Sequence, residues 1–125
     1  MCCVNGHAYA KYKHKHKARG TASYYAGKYD GRKTSTGDVF SNEGYTAASN
    51  KFRLGAYARV KDLENGKTVY VLINDRMGNQ ERLIDLTTAA ADYLGCRKQG
   101  LAHVRVKVVH DRKGRRHIRR QQRNT

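Results

Sequence analysis

A chain of 125 residues with 38% hydrophobic side chains suits one domain with a modest core. Its formal net charge of +16 is uneven: residues 1–20 hold five basic and no acidic side chains, and residues 111–125 hold seven basic and one acidic. No apolar run reaches the ~18–20 residues of a membrane span or the ~7–15 of a signal-peptide core, so an export signal has either been removed or is lacking.

The basic ends predict a flexible leader over 1–19 and a flexible tail over 111–125, because like charges repel and little apolar surface is there to bury. In the leader, His14 and His16 alternate with lysines and no carboxylate or cysteine joins them, so no metal site is expected. Cys2, Cys3 and Cys96 show no metal-ligand spacing and read as free thiols. A lipidated N-terminal cysteine needs an apolar run before it, and only Met1 precedes Cys2.

From Thr21 the texture changes. Thr21–Ala26 is β-prone, and residues 27–44, with four glycines, read as a long loop. Tyr45–Ser49 is a short strand candidate. Ala56–Leu63 and Lys67–Asn74 flank Asn65-Gly66, a hairpin turn signal. The run Val69-Tyr70-Val71-Leu72-Ile73 fits a strand buried on both sides. Arg82-Leu83-Ile84 is another short strand. One helix follows, with Asp85 as its N-cap, Leu86, Ala89, Ala90, Tyr93 and Leu94 on its buried face, and Gly95 as its stop. In Leu101–Val109, Val104, Val106 and Val108 alternate with His103, Arg105 and Lys107, the pattern of a half-exposed strand.

About six short strands and one helix, with no βαβ alternation, predict a mainly β fold, a small closed barrel. The charge admits nucleic acid, anionic lipid or an anionic wall polymer as partners. No zinc-finger, RNP or basic-zipper pattern supports nucleic acid, which is disfavoured.

Four segments in order resemble the rare lipoprotein A (RlpA)-like family: GTASYYAGKYDGRKTSTGDVF (20–40), YTAAS with LGAYARVKDLENGKTVYVLINDR (45–49 and 54–76), RLIDLTTAAADYLG (82–95) and LAHVRVKVV (101–109). The resemblance implies a six-stranded double-psi β-barrel over residues 20–110, with one short helix between the two basic tails. It implies an endolytic lytic transglycosylase of the bacterial envelope, acting on peptidoglycan glycan strands without cofactor or metal. Such an enzyme cuts the bond from N-acetylmuramic acid to N-acetylglucosamine and leaves a 1,6-anhydro sugar. The basic tails are then expected to hold anionic membrane or wall polymer.

The resemblance places catalysis on Asp75, the aspartate of NDR, and on Asp38, where the family usually has Glu. Asp is shorter by about 1.5 Å of reach, and a misplacement of about 1 Å can cost roughly 10²-fold in rate. Ser49 stands where the family often has His, Arg53 where it has Pro, and Met77-Gly78 where it has Gly-Pro. Tyr24, Tyr25, Thr34, Ser49, Asn74 and Arg76 are the candidate substrate-binding residues. Two alternatives stand beside the enzyme: a non-catalytic, expansin-like glycan-binding module, and a nucleic-acid binder using the Arg-rich tail.

Overall fold

The structure is a computed structural model that describes residues 14–24, 31–39, 41, 44–78, 81–96 and 100–124. Its elements are β1 (Lys17–Tyr24), β2 (Thr46–Ala48), β3 (Tyr57–Asp62), β4 (Thr68–Asp75), β5 (Ile84–Leu86), α1 (Thr88–Leu94), β6 (Ala102–Val109) and α2 (Asp111–Arg123). The strands close into one ring in the order β1-β5-β2-β4-β3-β6. β1 runs parallel to β5 and β2 parallel to β4, while every other neighbouring pair is antiparallel. This is the mainly β, six-stranded barrel that the sequence predicts.

The ring encloses one core. Val60, Val69, Val71, Ile73, Ile84, Leu86, Val104 and Val106 are fully buried. Such branched side chains suit a pleated, closed surface, and closure leaves no open sheet edge. The β3–β4 turn forms where Asn65-Gly66 predicts it. There the buried Asp62 carboxylate accepts from the backbone N–H groups of Glu64 at 2.8 Å and Asn65 at 3.2 Å. Cys96 is free and buried, and its thiol pKa is raised by burial first and by Asp62 second, which makes it an inert core side chain.

Three expectations change. The leader was expected to be flexible to residue 19, but Lys17–Ala22 pairs with Ala102–Lys107, so β1 begins inside it. The helix starts later than Asp85: Asp85 and Leu86 belong to β5, and Thr87 is the N-cap, its hydroxyl oxygen accepting from Ala90 N at 3.2 Å. Leu86 fits a helical face by spacing, yet it faces the core from a strand. Gly95 does stop the helix, in the left-handed conformation with φ 81°.

The largest change is at the C-terminus, where a flexible tail was expected. Residues 111–123 form α2, capped by His110, whose Nδ1 accepts from Arg112 N at 3.2 Å. Asp111 in the first turn and Arg120 and Arg123 in the last complement the helix dipole. Gly114, His117, Ile118 and Gln121 fall on one face at helical spacing, and that face lies on the barrel. A Cβ on Gly114 would overlap the Tyr57 side chain, so only glycine allows this approach. The His117 ring stacks on Tyr70, with centroids 4.1 Å apart and planes 8° off parallel.

Gln121 explains why the helix belongs to the fold. β2 is three residues long and meets β4 only from Leu72 onward, so Tyr70 has no strand beside it on that side. Gln121 takes the place of one: its Oε1 accepts from Tyr70 N at 2.6 Å and its Nε2 donates to Tyr70 O at 2.9 Å. Replacing Gln121 with Leu keeps the volume but strands two buried backbone groups. It is expected to cost about 2–4 kcal/mol in urea denaturation, and an unchanged midpoint would show that the amide does not seal the barrel.

His117 adds a pH dependence. Burial first, then Arg120, Arg116 and Lys113, hold its pKa below the ordinary value. The folded chain therefore favours the neutral ring against Tyr70. Its contribution is complete above the free imidazole pKa of about 6.5 and is lost as pH falls from there through the folded value. Hydrogen exchange over 112–123, corrected for intrinsic rates, is expected to be faster at pH 5 than at pH 7, and a His117→Gln chain should show no such difference.

Candidate functional site

The site grows from an irregularity in β4. Ala47 pairs with Ile73, but the next residue of β2, Ala48, pairs with Asp75, so Asn74 is the extra residue on β4. An inserted residue of this kind re-aims the side chains after it. Ile73 faces the core, and strict alternation would turn Asp75 the same way. With Asn74 inserted, Asp75 instead shares the side of Ala48 and of Asp85, which is also opposite Ala48. Asp75 is half-buried there, at the end of the most apolar strand.

A loop closes over it. Lys33 and Val39 bridge antiparallel, and Thr34 N donates to Asp38 O at 2.8 Å, which folds residues 34–38 into a tight turn. That turn is fastened to Asp75. Ser35 donates to Asp75 Oδ1 through its backbone N at 3.0 Å and its hydroxyl at 2.7 Å, and Arg76 N donates to the same oxygen at 2.9 Å. Thr36 N also donates to Asn74 O at 3.3 Å. The Asp75 carboxylate thus positions the loop, and the loop fixes the carboxylate.

The same turn delivers the second carboxylate. Asp38 Oδ2 accepts from Thr36 Oγ1 at 2.8 Å and lies 3.4 Å from Asn74 Nδ2. Asp38 is exposed, and Asn74, next to Asp75 in the chain, links the two acids. Asn74 is only 4% exposed, and its Oδ1 is buried with no hydrogen-bond partner among the described residues. A buried amide oxygen without a donor is costly.

Beneath the acids lies a polar frame. Arg76 spends Nη1 on two backbone carbonyls of the β2–β3 connection, Ser49 O at 2.6 Å and Phe52 O at 2.7 Å. Asn50 pairs with the Met77 backbone as a strand would, donating from Nδ2 to Met77 O at 2.9 Å and accepting at Oδ1 from Met77 N at 3.0 Å. Ser49 N donates to Asp75 O at 3.0 Å. Ser49 is fully buried, and its hydroxyl donates to Leu83 O at 2.8 Å and accepts from Lys51 N at 3.1 Å.

The predicted residues therefore divide. Asp75, Asp38 and Asn74 come together. Ser49 and Arg76 lie in the frame, with their polar groups engaged by backbone. Thr34 is 7% exposed and its hydroxyl lies 3.0 Å from that of Thr36, inside the turn. Tyr24, 37% exposed, ends β1, three strands along the ring from β4. Tyr25 lies outside the described residues, as do Cys2 and Cys3. Ser35 and Asn50 were not singled out from the sequence, because a serine in a Ser/Thr-rich loop and an asparagine after a strand carry no signal of what they hold.

Asp85, read as a cap, has a different place. It takes Arg82 in a two-pronged ion pair, Nε at 2.9 Å and Nη2 at 3.2 Å, and a hydrogen bond from the Ser23 hydroxyl. The guanidinium pKa of Arg82 is raised, first by its hydrogen bond to Asp85. Among the described residues no group of three His, Cys, Asp or Glu side chains could hold a metal ion.

A family model described as lytic transglycolase matches residues 17–106. The endolytic peptidoglycan transglycosylase RlpA of Haemophilus influenzae is 45% identical over 92 residues, which are 73% of this chain and 32% of that protein. The protein of the same name from Pseudomonas aeruginosa is 44% identical over 91 residues, 72% of this chain and 27% of its own length. The chain thus spans about a third of the curated relatives it matches. Among solved structures, a Streptomyces papain inhibitor has a TM-score of 0.60 at 22% identity, covering 78% of this chain and 98% of its own. An expansin of Clavibacter michiganensis has a TM-score of 0.61 at 21% identity, covering 76% of this chain and 51% of its own. At these identities the two structures share the fold.

The frame has its own test. Arg76→Ala removes a half-buried cation that ties two carbonyls and leaves them without it, so it is expected to cost about 2–4 kcal/mol in urea denaturation. Arg76→Lys, which cannot reproduce the planar fork, should recover only part of that. Wild-type stability in Arg76→Ala would mean that the frame holds without it.

Proposed function

The chain belongs to the RlpA-like double-psi β-barrel family, whose model is described as lytic transglycolase, and from that premise we propose that it cleaves peptidoglycan glycan strands as an endolytic transglycosylase. The observation that carries the proposal is the joint placement of Asp75 and Asp38 around Asn74. The loop brings Asp38 beside Asn74 and fastens itself to Asp75 through Ser35.

In this reading Asp75 is the acid and then the base. Its protonated carboxyl gives a proton to the glycosidic oxygen as the bond to C1 of N-acetylmuramic acid breaks, and N-acetylglucosamine leaves as the alcohol. The carboxylate then takes the proton from the C6 hydroxyl of the same muramic residue as that oxygen bonds to C1. The product is the 1,6-anhydro sugar, no water is consumed, and Asp75 ends protonated as it began. Asp38 stands across Asn74 as a second carboxylate for the positive charge that develops at C1. Asn74, held between the two acids, positions them and keeps its own amide out of the solvent. Tyr24, at the end of β1, offers an exposed ring to a sugar further along. Substrate of this kind places the protein in the cell envelope.

Two features favour a second reading, a non-catalytic glycan-binding module. Asp38 has the shorter reach, and Ser49, where the family often has His, is buried with its hydroxyl engaged. One experiment separates the readings. The wild-type chain is expected to release soluble anhydro-terminated fragments from purified sacculi, with Asp75→Asn lowering release by at least about 10²-fold and Asp38→Glu raising it. Retention on sacculi with no release by wild type or by Asp38→Glu would instead establish the binding module. Equal release by wild type and Asp75→Asn would remove Asp75 from the chemistry.

A further inference from the structure

The outer faces of β1, β6 and β3 carry an arrangement that the glycan reading does not use. Lys17 and Arg19 on β1, Arg105 and Lys107 on β6, and Arg59 and Lys61 on β3 alternate with core residues such as Val60 and Val106, so all six point outward. The registers align them. Lys17 is opposite Lys107, which is opposite Arg59; Arg19 is opposite Arg105, which is opposite Lys61. The result is two rows of three cationic residues, whose backbones stand about 4.8 Å apart along a row and about 7 Å between rows. Five of the six, with Ala18, line a concavity of about 510 Å³. The face is centred on β6, two strands along the ring from β4, whose last residue is Asp75.

Like charges directly opposite on neighbouring strands destabilise a sheet, and here four such pairs are accepted. Among the described residues none of the six is paired with a carboxylate. Asp62, which follows Lys61, is buried and turned to its own hairpin. Repulsion that finds no carboxylate among the described residues favours an external anion.

We propose that this groove binds a linear phosphodiester polymer of the polyol-phosphate kind, lying along the rows. Three arginines supply flat two-pronged donors that match phosphate oxygens, and cations repeated along two rows suit a chain charged at every repeat. The concavity accepts a strand and not a flat lipid surface. Single-stranded nucleic acid needs stacking platforms, and the groove has no aromatic ring. Tyr57, the outward residue before Arg59 on β3, is covered by Gly114, with Arg115 5.8 Å over its ring. The inference goes beyond the glycan reading and does not depend on Asp75.

The test titrates the full chain with a labelled poly(glycerol phosphate) oligomer. Six phosphate contacts predict an affinity falling about 300-fold between 50 and 200 mM salt. The variant Arg19→Gln/Arg105→Gln/Lys107→Gln should bind about 100-fold more weakly at the lower salt and keep only about a 20-fold salt dependence. The control Arg112→Gln/Arg116→Gln/Arg119→Gln removes the same charge from the exposed face of α2 and should stay within about 3-fold of wild type. Asp75→Asn should bind the oligomer as wild type does, which keeps this result separate from that of the glycan assay. Equal losses in groove variant and control would overturn the groove in favour of net charge alone. Tighter binding of oligo-dT, or of anionic phospholipid vesicles, through the same residues would overturn the occupant. Because the substitutions relieve like-charge pairs, the groove variant should unfold at no lower temperature; if it does unfold early, Arg19→Gln and Arg105→Gln singly read the same comparison.

Discussion

The structure depends on closing a ring with strands too short to pair along their whole length. β2 and β5 have three residues each, while β1, β4 and β6 have eight. Closure therefore leaves backbone groups without a strand neighbour, on β4 at Tyr70 and in the segments just outside β2, β4 and β5, and a buried N–H or carbonyl without a partner costs as much as a lost hydrogen bond. Side chains fill the gaps. Gln121 pairs with Tyr70, Asn50 with Met77, Arg76 with Ser49 and Phe52, and Ser49 with Leu83. Each does locally what another strand residue would have done.

That solution also builds the candidate site. Three of these four substitutes surround the end of β4, because that is where short β2 gives out. The inserted Asn74 turns Asp75 out of the core at the same place. The acid therefore stands on a rigid strand, above a frame of satisfied backbone, with a loop tied to its own carboxylate. Precision of this kind comes from supports that are themselves locked. It also accounts for Ser49: its hydroxyl serves Leu83 and Lys51, so it belongs to the frame.

The charge excess resolves into distinct places. Part lies on the outer face of α2, part in the two rows across β1, β6 and β3, and the rest is scattered. Net charge alone could not separate these. A row of opposed cations on paired strands is a property of register, and register is invisible until the strands are aligned.

The sequence by itself determined much of the barrel. Val69 to Ile73 announced the most buried strand, Asn65-Gly66 its hairpin, Gly95 the end of the first helix, and the alternation of Val104, Val106 and Val108 the closing strand, because burial periodicity and turn chemistry are local. The family likeness singled out Asp75 through NDR and Asp38 through the TSTGD loop as candidates. What only the tertiary structure decided are features whose cause lies far along the chain. The second helix was illegible because its buried face is Gly114, His117, Ile118 and Gln121, with one large apolar residue among them, and its value comes from Tyr57 and Tyr70 some fifty residues away. Asp85 looked like a cap because it precedes a helical pattern; pairing with Ala48 and Ser23 made it a strand residue. Whether a polar side chain faces a substrate or an orphaned carbonyl depends on which backbone groups closure leaves unpaired, and that is settled only when the ring is complete.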